Sequence, residues 1–268
     1  MMRIGTLLTL HTFASGSEGN CLLISDGQIH ILLDAGISCK RIVTSLAALG
    51  LTMADIDAIL ITHEHSDHIC GLATLVKHHR VPIYSTAATG RQLSYRIAGI
   101  EPLLCCVAPG DVFGIGDVRV TVFPTSHDAA DSVDYRFDGD GSIGVLTDTG
   151  YVTDEAAEAL AGVNLLVLES NHDVERLLSG PYPYPLKRRI LSDHGHLSND
   201  TAARFAMQMA QQGTKQFVLA HLSRENNTPQ LASEIVSQAV AEFDAAVCVT
   251  PRGELSCAYQ TEVTVCKK

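Results

Sequence analysis

One histidine-rich segment constrains this chain more than any other feature. Residues 57–72 read DAILITHEHSDHICGL, in which an apolar stretch typical of a buried strand leads into four potential metal ligands. In an extended backbone, residues two apart point to the same side, so His63 and His65 can converge on one metal ion. Asp67 and His68 follow a turn and begin a helix, from which they face a second point close to the first. The spacing therefore predicts a metal site at the end of a strand.

The donor types limit the choice of metal. Imidazole and carboxylate groups without a thiolate suit zinc, manganese or iron, and the affinity order of these ions does not choose among them. The alternative is a surface loop that is rich in histidine by chance. The HxHxDH pattern is far more specific than a pair of histidines, which favours the metal site.

Three further candidate ligands each lie just beyond an apolar strand. His127 follows a strand of alternating valines in PTSHD, Asp148 ends SIGVLTD, and His221 ends QFVLAH. Each has an ordinary explanation when taken singly, because a lone histidine is usually a core or surface residue and an aspartate before Thr-Gly often forms a turn. Together with the HxHxDH segment, they indicate ligands that meet where several strands end.

Short apolar runs alternate with helical periodicity along the chain, which is typical of an α/β fold. The opening segment is interpreted as a first strand, and a helix is predicted over residues 199–212. Because strands fill both halves of the chain, two packed sheets with helices outside are expected. The other predicted strands are residues 21–24, 29–33, 58–61, 118–123, 143–146, 165–168, 217–220 and 246–249.

Composition narrows the class of protein. The 268 residues are 46% hydrophobic and 18% charged, which excludes disorder as the main state. No run approaches the ~20 apolar residues of a membrane span, so no membrane partner is expected. Eight cysteines without a CxxC pair indicate buried free thiols in a reducing, cytoplasmic setting. The formal net charge of −11 repels a polyanion at long range, so any activity on nucleic acid must come from a local site.

Several segments are similar to the metal motifs of the metallo-β-lactamase superfamily, over nearly the whole chain. These are THEHSDH, the later His127, Asp148 in LTDTG and His221 in LAHLS. Closer still, FASGSEGNCLLI, TSHDAADSVDYRF, LESNHD and DHGHLSN resemble segments of the bacterial YycJ-type hydrolases, also called WalJ or VicX. The resemblance implies an α/β (α+β) fold, a four-layer αββα sandwich that forms a single domain over residues 1–268.

The same resemblance implies a dinuclear site for two divalent ions, zinc or manganese. Asp34 in LLDAG matches a superfamily motif and is expected to brace the metal loop, with Glu169 and His172 as supporting partners of the ligands. The implied ligands are His63, His65 and His127 for the first ion, Asp67, His68 and His221 for the second, and Asp148 as the bridge.

The loop before residue 199 carries the best indication of substrate, because the superfamily fold alone hosts several hydrolytic reactions. Its sequence DHGHLSN resembles the Gly-His-Ser/Thr stretch of tRNA-processing phosphodiesterases in the superfamily, and the matching histidine is His196. Ser198 or Asn199 would cap the next helix, whose free N–H groups favour a phosphate. His194 is a second candidate substrate contact. The alternative for both histidines is a helix-entry loop with hydrogen-bonded imidazoles.

Positive charge is concentrated just upstream, in GPYPYPLKRRI. Lys187, Arg188 and Arg189 could hold a nucleic-acid backbone while a neighbouring tyrosine stacks on a base. The alternative is an exposed helix start with ordinary surface charges. Arg224, three residues after His221, is a further candidate phosphate contact.

These observations favour a metal-dependent phosphodiesterase, and the family resemblance implies a 5′-to-3′ exonuclease that acts on duplex DNA. A metal-bridging hydroxide would attack phosphorus in line, Asp67 would orient it, and His196 would donate a proton to a phosphate oxygen or the leaving oxygen. One alternative is a small-molecule hydrolase, a thioesterase or lactonase, which the acidic charge suits slightly better. Another is a metal-bound regulatory or interaction protein without catalysis, against which the full ligand set argues.

Overall fold

Extended strands make up the centre of the molecule in the computed structural model, which describes residues 7–261. The segment that begins the first predicted strand, residues 1–6, lies outside the described part. The strands are β1 (Thr9–Ala14), β2 (Cys21–Ser25), β3 (His30–Leu33), β4 (Ala58–Leu60), β5 (Ile83–Thr86), β6 (Leu104–Val107), β7 (Val112–Ile115), β8 (Val118–Pro124), β9 (Val133–Gly139), β10 (Gly141–Leu146), β11 (Leu165–Glu169), β12 (Gln216–Ala220), β13 (Ala246–Val249) and β14 (Tyr259–Gln260).

Helices connect many of these strands and pack outside them. Short 3-10 turns at Met53–Asp55, Glu101–Leu103 and Ala241–Phe243 complete the described regular structure. The α-helices are α1 (Cys39–Ala48), α2 (Ser66–Ile69), α3 (Leu72–His78), α4 (Ala87–Arg96), α5 (Asp154–Leu160), α6 (Val174–Ser179), α7 (Tyr184–Ile190), α8 (Asn199–Gln211) and α9 (Pro229–Val240).

Two sheets face each other, with helices on both outer faces. The first has the order β14-β1-β2-β3-β4-β5-β6, and the second has the order β13-β12-β11-β10-β9-β8-β7. On β8, Val118, Val120 and Val122 are buried and join the core between the sheets, while the intervening side chains are more exposed. This period-2 pattern is what a strand with one covered face requires. The four layers confirm the αββα architecture expected from the sequence.

The strand directions bring particular loops together. In the first sheet β3, β4, β5 and β6 are parallel, and in the second β10, β11, β12 and β13 are parallel. The carboxyl ends of parallel strands share one edge of a sheet, where ligands commonly bind in α/β folds. In both sheets the segments that leave this edge carry the candidate metal ligands.

Every predicted strand is present, and its ends differ by two residues at most within the described chain. The helix predicted after the HxHxDH segment is wrong in one respect, because it is interrupted at Cys70 and Gly71. Gly71 packs so closely on the loop after β3 that an added Cβ would lie 2.1 Å from the carbonyl oxygen of Ile37. Its backbone N–H donates to Ala35, which pins the break in place.

The cysteines are free thiols within the described residues, as expected, but most are not buried. Cys21 is buried in β2, whereas Cys70, Cys106 and Cys257 are exposed. No helix between residues 7 and 261 combines the length and the apolar character needed to cross a membrane.

Candidate metal centre

Three imidazoles converge at the loop that follows β4. His63 Nε2 lies 3.0 Å from His65 Nδ1, and His127 Nε2 lies 3.3 Å from the same His65 atom. His63 and His127 are buried, and His65 is partly exposed. The first two come from the first sheet and His127 follows β8 of the second, so the cluster spans both sheets. These are the three residues expected to hold the first ion.

A second cluster lies beside the first. It joins Asp67 and His68 of the short helix α2 to His221, which follows β12. Asp67 Oδ2 lies 3.7 Å from His68 Nε2 and 3.8 Å from His221 Nε2. These are the residues expected to hold the second ion.

Asp148, which follows β10, lies between the two clusters. Its Oδ2 is 3.1 Å from His68 Nε2, and its Oδ1 is 3.9 Å from His127 Nε2. Asp148 thus lies within 4 Å of a member of each cluster, which is the position that a bridging ligand requires.

The polar atoms of this site fit divalent metal ions. Among the described residues, buried Asp148 Oδ2 and buried His221 Nε2 have no hydrogen-bond partner. An unsatisfied buried polar atom costs about 1–3 kcal/mol, and coordination to a cation would remove that cost. Burial lowers the pKa of both His63 and His127, so their rings are neutral and have a lone pair for a metal. Histidine and carboxylate donors without a thiolate suit zinc or manganese.

Backbone strain is concentrated at the same place. Asp34, Asp148 and His221 have φ angles of 60°, 50° and 54°, and the fourth described residue of this kind other than glycine, Asp244, lies elsewhere. A non-glycine residue in this region costs on the order of 1–3 kcal/mol and persists only where its surroundings impose it. Asp34 and His221 directly follow the ends of β3 and β12, and Asp148 lies two residues beyond the end of β10, so these three turns aim their side chains into the site.

Asp34 braces the ligand loop, as expected. Its Oδ2 lies 2.7 Å from His68 Nδ1, and its Oδ1 accepts a hydrogen bond from the backbone N–H of Thr62. A proton on Nδ1 leaves Nε2 of His68 free to face Asp67 and Asp148. Burial alone would lower the pKa of His68, but Asp34 and Asp148 outweigh it and raise that pKa well above its usual value.

Glu169 at the end of β11 holds two histidines at once. Its Oε1 lies 2.8 Å from His196 Nδ1 and 2.9 Å from His221 Nδ1, and its side chain is fully buried. Burial opposes its ionisation, but His196 and His221 outweigh burial and lower the pKa of Glu169 to about 2. The ionised carboxylate therefore fixes both rings by their Nδ1 atoms. His196 is 17% exposed, and its Nε2 is left available to a substrate.

His172 makes no hydrogen bond to a candidate ligand within the described residues, in contrast to the expectation that it supports the ligands. Its ring is buried, and within the described chain neither ring nitrogen has a hydrogen-bond partner. Burial lowers the pKa of His172 to about 4, so the ring is neutral. The polar contacts of Glu169 go to the two histidines and to the backbone N–H groups of Thr149 and Leu197 instead.

The helix-entry loop gives a mixed outcome for the candidate substrate contacts. Ser198 caps α8 by accepting a hydrogen bond from the N–H of Thr201, so its side chain is used by the helix. Asn199 does not cap the helix, and its buried side chain bonds to Ser170 and Asn227, which leaves it no group for a substrate. His194 is exposed, with Nδ1 3.2 Å from Ser126 Oγ.

The positively charged candidates also differ in their contacts and exposure. Lys187 donates to the carbonyl oxygens of Leu178 and Gly180 at the end of α6, whereas Arg188 is exposed. Arg224 is 69% exposed and forms an ion pair with Glu18 at 3.0 Å. Arg188 and Arg224 are therefore the better placed of these candidates to meet a phosphate.

Two functional contacts were missed in the sequence. Arg189 makes two hydrogen bonds to Asp128, at 2.6 and 3.0 Å, and Asp128 Oδ1 lies 3.5 Å from His127 Nε2. Asn20 Nδ2 lies 3.0 Å from His68 Nε2. The sequence contains one indication of each contact. Asp128 directly follows a candidate ligand, and Asn20 ends a glycine-rich loop.

Comparison with known proteins places this geometry in context. The beta-lactamase superfamily domain matches residues 30–222. The exodeoxyribonuclease YycJ of Bacillus anthracis is 41% identical over 239 residues, which cover 88% of this chain and 90% of that protein. The exodeoxyribonuclease WalJ of Streptococcus pneumoniae serotype 2 is 39% identical over 240 residues, with coverages of 88% and 89%.

A solved structure supports the fold independently. The metallo-beta-lactamase fold protein YhfI from Bacillus subtilis superposes with a TM-score of 0.73 at 17% sequence identity. The match covers 95% of this chain and 99% of that one. At this identity the likeness concerns the architecture alone.

Proposed function

The chain belongs to the beta-lactamase superfamily and to its group of YycJ and WalJ exodeoxyribonucleases, and from this premise we propose that it degrades duplex DNA from the 5′ end. It is a metal-dependent nuclease with the metallo-β-lactamase fold. The observation that carries the proposal is the complete ligand geometry beside His196, in a chain 41% identical to an exodeoxyribonuclease. We further propose that residues 1–268 are one domain in a reducing cytoplasm, which the free thiols of the described residues support.

Two ions, zinc or manganese, are proposed for the two clusters. The cluster of His63, His65 and His127 and the cluster of Asp67, His68 and His221 each offer three donors, and Asp148 faces both. When bound, such ions supply a water of lowered pKa and neutralise charge on a phosphate.

The side chains provide the proton transfers. Burial opposes ionisation of Asp67, but the nearby His221 and His68 outweigh it and lower the Asp67 pKa, which makes this carboxylate an ionised acceptor that orients the attacking water. His196, held by Glu169 through Nδ1, donates from Nε2 to a phosphate oxygen or to the leaving oxygen. Glu169 is a positioning residue, because its carboxylate contacts the rings and is fully buried.

Substrate contacts are proposed among the exposed side chains of the candidate substrate-binding residues. Arg188 and Arg224 meet the phosphate backbone, Tyr184, which is 72% exposed, stacks on a base, and His194 adds a polar contact. Lys187 contributes charge, and its ammonium group also donates hydrogen bonds to backbone carbonyl oxygens at the end of α6. Ser198 acts through the N-terminus of α8.

The test is manganese-dependent digestion of a duplex labelled at its 5′ end. Stepwise release of labelled nucleotides, abolished both by chelator and by Asp148→Ala, supports the proposal. Release from the 3′ end contradicts the polarity. Intact DNA together with rapid cleavage of a thioester assayed in parallel would move the protein to small-molecule hydrolysis.

A further inference from the structure

Positive charge is concentrated in one stretch of this acidic chain. Residues 68–100, which include α3, β5 and α4, contain one lysine, three arginines and no aspartate or glutamate. The formal net charge of the whole chain is −11, so the residues outside this basic segment have a net charge of −15. The protein therefore has a local cationic surface, although its overall charge repels a polyanion at long range.

The cations of the basic segment face solvent and have no carboxylate partners. Lys77, Arg80, Arg91 and Arg96 are all exposed. No ion pair within residues 7–261 involves any of them. Four other arginines do pair with carboxylates, namely Arg119, Arg136, Arg189 and Arg224. A cation without such a partner can meet a phosphate without first breaking an ion pair, which makes the basic segment the better docking surface for a polyanion.

The helix α4 is fastened at both ends to loops that carry candidate metal ligands. At its start, Thr86 Oγ1 donates at 3.1 Å to the carbonyl oxygen of Asp131, in the loop after β8. At its end, Arg96 Nη1 donates at 2.8 Å to the carbonyl oxygen of Glu64, which lies between two ligands of the HxHxDH segment. The outer face of α4 therefore lies beside the metal centre.

That face of α4 combines a cation with an aromatic ring. Arg91 and Tyr95 are four residues apart, so they are neighbours on one side of the helix. Tyr95 is 92% exposed, the highest value among the exposed large hydrophobic residues between 7 and 261. Arginine and tyrosine side chains both donate hydrogen bonds to phosphate oxygens, and an aromatic ring gains free energy when a partner covers it. The pair is typical of a surface that contacts nucleic acid.

A groove extends this surface beyond the end of α4. Its walls are residues 76–80, at the end of α3 and the following turn, together with Ala98, Gly99 and Pro102. Residues 77–80 read KHHR, which supplies two cations and two imidazoles. An added Cβ on Gly99 would meet nothing within 4 Å, so the wall of the groove is uncrowded at that point. The groove and α4 thus form two adjoining parts of one basic surface.

We propose that the basic segment binds the phosphate backbone of the duplex that enters the metal centre, an inference that rests on the proposed nuclease function. The ten residues of α4 span about 15 Å, and phosphates of one strand are about 3.4 Å apart along the duplex axis. The surface can therefore meet about four successive phosphates, independently of base sequence. An anionic membrane is a poorer partner, because Tyr95 is the only exposed large hydrophobic side chain between residues 72 and 96.

The experiment measures binding of a duplex of about 20 base pairs by fluorescence anisotropy across a salt series. The protein contains manganese and His196→Ala, which slows cleavage. Arg80→Gln combined with Arg91→Gln is expected to weaken binding about tenfold and to reduce the slope of log K against log salt by about 2, since each lost phosphate contact reduces it by about 1. The control of equal charge combines Arg119→Gln with Lys215→Gln and is expected to change neither quantity. Both control residues are exposed, near the starts of β8 and β12 and away from the ligand edge.

Several results would overturn the proposal. One is an unchanged affinity and slope in the Arg80 and Arg91 double variant, and another is an equal loss in the control, because net charge then explains the effect. If the double variant keeps its DNA affinity but no longer binds vesicles of phosphatidylglycerol and phosphatidylcholine, the segment binds a membrane surface instead. If the wild-type chain with manganese degrades no DNA, the nuclease function fails separately, and anisotropy still decides whether the segment binds the duplex.

Discussion

At the scale of single residues, carboxylates hold several histidine rings of the site by their Nδ1 atoms. Asp34 holds His68 by Nδ1, and Glu169 holds His196 and His221 in the same way. The candidate ligands could be predicted from HxHxDH and from residues that follow apolar strands. The double role of Glu169 could not, because its partners are 27 and 52 residues away and meet it only in the folded sheets.

Replacing Asp34 by Asn is expected to weaken metal binding by about 10- to 100-fold, because the amide loses the charge that holds the Nδ1 proton of His68. The measurement is isothermal titration of the metal-free protein with manganese or zinc. Asp57→Asn is a matched control, since Asp57 accepts a hydrogen bond from the His30 backbone away from the ligands. Unchanged affinity in Asp34→Asn would show that the brace does not influence coordination.

His196→Ala is expected to keep its metal and to lower kcat by about 100- to 10,000-fold, since a positioned proton donor contributes on that scale. Asp148→Ala is expected to lose metal and activity together. Metal content by elemental analysis and single-turnover DNA cleavage separate the two effects. Retained turnover in His196→Ala contradicts the role assigned to that ring.

At the scale of elements, alternation and apolar runs predicted the strands that have a clear pattern. The strands β5, β6, β7, β9 and β14 were not predicted. Three of these, β6, β7 and β14, lie at the sheet edges, where only one side is paired and the residues are less uniformly apolar. The break between α2 and α3 was also beyond prediction, because it follows from contact of Gly71 with a loop distant in sequence.

The helix α7 is fixed to the metal edge through Arg189 and Asp128, which leaves Arg188 exposed for DNA. Arg188→Ala is expected to raise KM and to reduce the slope of log K against log salt by about 1, as the loss of one phosphate contact requires. Binding is measured across a salt series. Arg119→Ala, which removes an exposed arginine of β8, is the control. An unchanged slope in Arg188→Ala removes α7 from the interface.

At the scale of the whole molecule, the candidate metal centre joins the two sheets. The proposed ligands come from loops after β4, β8, β10 and β12, so they span most of the described chain. Metal binding must therefore favour the assembled state of both sheets, because the unfolded chain does not preform such a site.

At a metal concentration of 100 times Kd, the expected gain in unfolding free energy is about 2.7 kcal/mol, or roughly 5–10 °C in Tm for a chain of this size. The measurement is thermal unfolding with manganese and with chelator. His196→Ala should keep the shift and Asp148→Ala should lose it. An equal Tm with and without metal in wild type would falsify the structural role of the site.

All the proposed chemistry lies at one edge of the two sheets, and the opposite edge takes no part in it. There the turns at Gly50, Gly162 and Gly213 enter β4, β11 and β12 from the far side, and an added Cβ on Gly50 or Gly213 would meet nothing within 4 Å. Such turns tolerate insertions. A peptide tag or surface linkage placed at Gly50 or Gly213 would immobilise the protein with its catalytic face turned outward.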